Sequence, residues 1–112
     1  MATQTLLSLP STTYAAGIFT STSFSVPANA TQLTTTFNIN STDLAKAVNI
    51  IQFEVDRLVN ATFVFDHGFT WKGGLAIQPI IQVDIGPLAG QTIQLVLNFN
   101  NSMTTAITVT SS

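Results

Sequence analysis

The chain contains no cysteine and very little charge. Among its 112 residues, Asp, Glu, Lys and Arg together make up 7%, whereas about 25% is usual for globular proteins. The lack of cysteine excludes a disulfide scaffold, a thiolate nucleophile and a zinc site built on cysteine. A net charge of −2 provides no basic field to attract phosphate backbones, so we expect no nucleic-acid binding.

Long apolar runs are also missing. No stretch approaches the roughly 20 consecutive apolar residues that a membrane-spanning helix needs. The N-terminal sequence MATQTLLSLPSTTY has no basic segment, and Ser8 and Pro10 interrupt its apolar run, which is unlike a secretory signal. We therefore expect a chain that is synthesised in the cytoplasm and that has no membrane partner.

The residues that are present are mainly apolar or uncharged polar ones. Hydrophobic residues make up 46% of the chain, and Thr, Ser, Asn and Gln supply most of the remainder. A surface of hydroxyls and amides has little charge to keep molecules apart. A secreted or acidic setting is one explanation of this surface. We favour the other, in which neighbouring subunits cover it and the chain is a homo-oligomer.

Alternation of apolar and polar residues is the dominant pattern and is typical of half-buried strands. It is clearest in residues 31–39, 49–57, 91–99 and 103–110. Shorter strands are expected at 4–9, 20–26, 61–65 and 75–85, where Pro79 indicates an edge strand or a bulge. One helical turn is expected after a cap at Ser41 or Thr42.

These elements predict an all-β fold. About eight strands with turn signals between them are typical of a single-domain antiparallel β-sandwich or jelly roll, here over residues 21–112. Residues 1–20 alternate little and are interpreted as an N-terminal arm or a loosely attached strand. Leu6, Leu7 and Leu9 make this arm a possible interface, since it could add a strand to the sheet edge of a neighbour.

The segment DHGFTWKGG, residues 66–74, contains the single histidine and the single tryptophan. His67 is the one candidate general base, with Asp66, Asp56 or Asp84 to orient it, but a nucleophilic site also needs an adjacent Ser or Cys. Consecutive side chains on an extended strand point to opposite faces, so we expect Asp66 and His67 not to meet. No Gly-x-Ser-x-Gly motif occurs, and we predict no catalytic residues.

Metal and cofactor sites are not expected either. One histidine and scattered aspartates lack zinc-ligand spacing, and the calcium-loop pattern is absent. Glu54 and Asp56 lie two residues apart on one strand face and would need a third carboxylate to hold a cation. A solvated polar face is the simpler interpretation of this pair.

A structural interpretation of residues 66–74 fits better. Asp66, His67 and Gly68 are predicted to form a turn, with Gly68 at positive φ. Phe69 and Trp71 then share one face of a short strand as a buried aromatic pair, and the strand ends at Gly73 and Gly74. Exposure of Trp71 or Tyr14 as a stacking platform for a sugar is the alternative.

The chain contains five short segments in this order: VPANAT at 26–31, STDLA at 41–45, Glu54 with Val55, FTWKGG at 69–74 and GPLAG at 86–90. Together they resemble a group of small β-sandwich virion proteins of tailed bacteriophages. The resemblance covers about residues 20–100, and its most specific element is the Phe-Thr-Trp-x-Gly-Gly run that starts at Phe69. That group often has Asp-Gly-Gly before its tryptophan, where this chain has Asp66, His67 and Gly68.

This resemblance implies a capsid decoration (cement) protein without catalytic residues, cofactor or metal. Such a protein would bind the major capsid protein on the outer surface of the virion, as a homotrimer, and would stabilise neighbouring capsomers. A carbohydrate-binding or adhesin-like module of a phage fibre or spike is the alternative function.

Overall fold

Two antiparallel sheets pack face to face in the computed structural model, which describes residues 3–112. Sheet A has the strand order β1-β9-β4-β7, and sheet B has the order β2-β8-β5-β6 with β3 also paired to β8. The all-β sandwich predicted from the sequence is confirmed, with nine strands in the described part of the chain. Their bounds are β1 Gln4–Tyr14, β2 Gly17–Thr20, β3 Phe24–Ser25, β4 Gln32–Ile39, β5 Ile50–Val59, β6 Thr62–Lys72, β7 Ile80–Asp84, β8 Thr92–Phe99 and β9 Met103–Ser111.

The four strongly alternating segments became the four central strands. Their predicted inner residues are buried, such as Phe37 on β4, Phe53 on β5 and Leu97 on β8. Phe37 and Phe53 meet across the two sheets with ring centroids 5.9 Å apart. Alternation therefore fixed which face of each strand enters the core, since a slip of one residue would expose that whole face.

The short helix α1, Ser41–Ala45, links β4 to β5. Its cap is Asn40 rather than the predicted Ser41 or Thr42: the Asn40 side chain accepts a hydrogen bond from the Asp43 amide at 2.8 Å. Asn40 thus satisfies the free Asp43 amide in the first turn, and the helix begins one residue earlier than a cap at Ser41 would allow. The Asp43 carboxylate in turn accepts from the Thr104 amide, which fixes the helix to β9.

Of the two interpretations of residues 1–20, an arm or a loosely attached strand, the structure shows a strand, β1, for Gln4–Tyr14. Gln4 to Tyr14 pair with β9 in a register that shifts twice, and β1 forms one edge of sheet A. Leu6, Leu7 and Leu9 are half-buried against the core of their own chain, so these leucines already have an intramolecular partner. The predicted arm also includes Met1 and Ala2, which lie outside the residues that the structure describes.

The expected strand at 75–85 is shorter than predicted. Only Ile80–Asp84 pair, as β7, which lies at the other edge of sheet A as Pro79 indicated. Residues 73–79 form a loop, in which the Gln78 side chain makes two hydrogen bonds of 2.8 Å with the main chain of Ile39. The loop therefore joins the end of sheet B to sheet A.

Candidate functional site

Residues 66–72 lie within an edge strand and not at a turn, and Gly73 and Gly74 follow its end. Asp66, His67 and Gly68 belong to β6, which runs from Thr62 to Lys72 along the open edge of sheet B. The predicted positive φ at Gly68 is wrong, and the turn lies earlier, where Asn60 and Ala61 have φ of 50° and 64°. The sequence pattern missed this turn because neither residue is a glycine.

A β-bulge at Asp66 explains the strand's irregularity. Val55 pairs with His67 and Asp56 pairs with Phe65, so that Asp66 is an additional residue without a partner on β5. The extra residue changes the alternation locally. As a result the prediction that Asp66 and His67 point apart is wrong: Asp66 Oδ2 contacts His67 Nδ1 directly.

Arg57 completes a small charged cluster at the bulge. Its Nε atom lies 3.3 Å from Asp66 Oδ1, and the Asp66 side chain is 8% exposed. The His67 ring also stacks on Phe69, with centroids 6.4 Å apart and planes 5° apart. Among the described residues, no hydroxyl is hydrogen-bonded to His67, so the arrangement provides an ion pair inside the sheet edge but no activated nucleophile.

Phe69 and Trp71 share the inner face of β6, as predicted. They pair with Phe53 and Ile51 and pack against the core. Tyr14 is buried as well, stacked on Phe99 at 5.1 Å, and this burial raises the pKa of the Tyr14 hydroxyl. The Tyr14 ring is therefore covered by the core, whereas Trp71 is only half-buried.

Gly73 and Gly74 end β6, as predicted, where the chain passes close to another segment. A Cβ on Gly73 would lie 2.3 Å from the Lys46 carbonyl oxygen, and Gly74 has φ of 103° beside Ala47. The Gly73 and Gly74 amides donate to the carbonyls of Asn49 and Leu44. The glycines thus permit a close main-chain contact between residues 73–74 and 44–49.

Glu54 and Asp56 are neighbours on the outer face of sheet B. A hydrogen bond to Asp56, burial and the like charge of Asp56 together raise the pKa of Glu54. Asp56 is buried, and its Oδ1 atom has no hydrogen-bond partner. Within residues 3–112 there is no group of three acidic, His or Cys side chains that could hold a metal ion, so the third carboxylate that a cation would need is not close by.

An exposed apolar patch was not anticipated from the sequence. Leu75, Ile77 and Ile80 are 76%, 66% and 63% exposed, and Val48 is 68% exposed. The hydrogen bonds of Gly73 and Gly74 hold residues 73–74 beside residues 44–49, which include Val48, and Leu75, Ile77 and Ile80 follow along the chain. We call these four residues, Val48, Leu75, Ile77 and Ile80, the apolar corner. The one sequence signal for it was the aliphatic run around Pro79, which predicted a strand instead.

A scan against protein-family models finds no match to this chain, and a search of curated proteins finds no significant relative. No helix in the described residues has the length and apolar character required to cross a membrane.

Proposed function

We propose that this chain is a non-enzymatic structural protein of a tailed-phage virion, a decoration protein that binds the outer capsid surface. The observation that carries the proposal is the apolar corner. Contiguous exposed aliphatic side chains are uncommon on monomeric proteins and mark protein–protein contact surfaces. Here four exposed aliphatic side chains lie near one another along the chain or across a main-chain contact: Leu75, Ile77 and Ile80 follow Gly74, and the Gly73 and Gly74 amides bond to the segment that carries Val48.

The outer face of sheet A supports the same proposal. Its central strands present Thr34, Thr36, Thr108 and Thr110 outward, as pairs across β4 and β9, and these residues carry no charge. A hydroxyl surface can be covered by a neighbouring subunit without the large desolvation penalty of buried ions. The apolar corner and this face together suit a subunit that is enclosed by others in a lattice.

In this proposal the major capsid protein is the partner, and the decoration protein assembles as a homotrimer. Each copy makes modest contacts, but a copy that touches two capsomers binds the second at high effective concentration. Many weak contacts over the lattice thus stabilise the capsid cooperatively. Analytical ultracentrifugation of the purified chain tests the trimer, and a monomer at every concentration would contradict that part.

Co-sedimentation with capsids that lack the protein tests the binding surface. We expect the wild-type chain to bind and the double variant L75S/I77S to bind at least tenfold more weakly, since each serine removes an aliphatic anchor. Ile18→Ser is the matched control: Ile18 is also 74% exposed but lies on β2, at the opposite edge of its sheet from β6. Equal binding by L75S/I77S and the wild type would overturn the proposed surface.

A further inference from the structure

A shallow groove of about 450 Å³ crosses the outer face of sheet B, on strands β8, β5 and β6. Its floor includes the main chain of Phe53 and Phe69, whose side chains pack toward the core on the other side of the sheet. The groove is separate from the apolar corner, since none of the corner residues lines it.

Gly68 lines the groove at the β6 edge of sheet B, where it pairs with Glu54 of β5. A Cβ on Gly68 would lie 2.9 Å from Cε2 of Phe65. The Phe65 ring therefore stands at the rim directly beside Gly68, and this side chain is 61% exposed.

At the end of the groove away from Gly68 and Phe65, two apolar side chains line it. They are Ile18, which is 74% exposed, and Val96, on the side of β2 and β8. An exposed aromatic ring at one end and aliphatic groups at the other provide contact surface for the C–H groups of a ligand without enclosing it.

Uncharged hydrogen-bonding groups occupy the space between these apolar side chains. The Asn98 amide donates to Gln52 Oε1 at 3.4 Å, which leaves the Gln52 amide nitrogen as a donor and Asn98 Oδ1 as an acceptor. Thr70 adds a hydroxyl that both donates and accepts. Such paired donors and acceptors match hydroxyl groups, which also act as both.

The charged residues of the groove restrict the class of ligand that it can bind. Among the described residues no Lys or Arg lines the groove, and Glu54 is the one ionisable side chain that does. A phosphate, a sulfate or an acidic sugar would have no cation to bind, and Glu54 would repel it. A ligand with many hydroxyls, apolar C–H faces and no negative charge fits these features.

We propose that the groove binds a neutral oligosaccharide, with Phe65 against one face of a sugar ring and Gln52, Thr70 and Asn98 bonded to its hydroxyls. A smaller hollow of about 180 Å³, lined by Ile50, Gln52, Asn98 and Asn100, continues the groove. The two hollows share Gln52 and Asn98, which indicates room for consecutive sugar units. This inference does not depend on capsid binding.

An NMR titration of the full chain tests the proposal, with maltotriose, cellotriose and triacetylchitotriose as neutral probes and sialyllactose as the anionic one. We expect at least one neutral trisaccharide to shift the signals of Gly68, Thr70 and the Gln52 and Asn98 amides. A dissociation constant on the order of 1 mM is expected for so open a groove.

Two variants should weaken this binding without unfolding the protein, because both side chains are exposed. Phe65→Ala removes the stacking surface and Gln52→Ala removes a hydrogen bond, and each should raise the dissociation constant about three- to tenfold. Gln82→Ala, the same substitution at an exposed position of β7, is the matched control and should leave it unchanged.

The outcomes are distinct. The proposal is supported if a neutral trisaccharide binds, if F65A and Q52A weaken this binding, and if Q82A leaves it unchanged. Any of three results would overturn the proposal. They are no shifts in the groove with all three neutral probes, shifts confined to other residues, or binding of sialyllactose alone. The capsid-binding variant L75S/I77S should bind sugar like the wild type, so that failure of either proposal is seen separately.

Discussion

Asp66 and His67 are consecutive residues of one strand, and yet their side chains contact each other. The contact arises because Asp66 is the additional residue of a β-bulge opposite Val55 and Asp56. The same bulge brings Asp66 to Arg57 and interrupts the regular edge of β6. A bulge with an inward charge makes a long edge strand a poor template for pairing with another chain, which is a structural reason for this cluster.

The first prediction concerns the stability of the charged cluster. Asp66→Ala should lower the free energy of unfolding by about 2 kcal/mol, because it leaves Arg57 Nε without its carboxylate in a site shielded from water. His67→Ala should have a smaller effect, since the His67 side chain is 37% exposed. Urea unfolding measures both, and a change below about 0.5 kcal/mol for D66A would show that the cluster is not stabilising.

Two glycines offer a matched pair of alanine substitutions. Gly73→Ala should destabilise the fold by 2 kcal/mol or more, on the order of an overpacked core, because its Cβ would meet main-chain oxygen atoms that cannot move aside. Gly86→Ala should be neutral or stabilising by up to about 1 kcal/mol, since its Cβ would meet no atom within 4 Å. Equal effects in thermal unfolding would contradict the close contact at residues 73–74.

The Glu54–Asp56 pair predicts a pH dependence of stability. The pKa of Glu54 is raised in the folded protein above its ordinary 4.5, so the folded state holds the proton more tightly than the unfolded state. This contribution to stability is present at low pH and is lost as the pH rises from about 4.5 through the raised pKa.

Glu54→Gln removes the pH dependence of stability that Glu54 causes, and it keeps a side chain that can donate a hydrogen bond to Asp56. The variant should match the wild type at pH 3 and be more stable at pH 7, by about 0.5 kcal/mol because the site is largely open to solvent. Urea unfolding at both pH values measures the difference. A variant that is less stable than the wild type at pH 7 would show that the charged pair is favourable.

Substitution of the half-buried leucines of β1 distinguishes two interpretations of this segment, an intramolecular strand and a free arm. Leu7→Ala and Leu9→Ala should each lower the free energy of unfolding by about 1 kcal/mol, roughly half the effect of a fully buried leucine. The oligomeric state in ultracentrifugation should not change. Unaltered stability together with loss of the oligomer would restore the interpretation of residues 1–20 as an interface arm.

Alternation in the sequence was sufficient to predict the sandwich and the inner face of its four central strands. Leu33 to Ile39 and Met103 to Val109 alternate without interruption, and each of the two strands has a paired strand on both sides. In such strands the burial of one face decides the register, and the sequence of the strand itself shows which face is apolar. The end of β6 at Gly73 and Gly74 was also predictable, because glycines mark close approach of two segments.

The features that sequence failed to predict depend on long-range contacts. The bulge at Asp66 is defined by its partners on β5, and the strand β1 is defined by pairing with β9 almost a hundred residues later. Neither leaves a periodic signal of its own. The groove could not be predicted either, because it requires Gly68, Gln52 and Asn98 to be adjacent across three strands.

Quantitative mass spectrometry of purified tailed-phage virions tests the proposed virion function most directly. A decoration protein that covers the capsid lattice should be present in hundreds of copies per particle, in a fixed ratio to the major capsid protein. A few dozen copies or fewer would indicate a tail or spike component, and absence from the particle would contradict the virion function altogether.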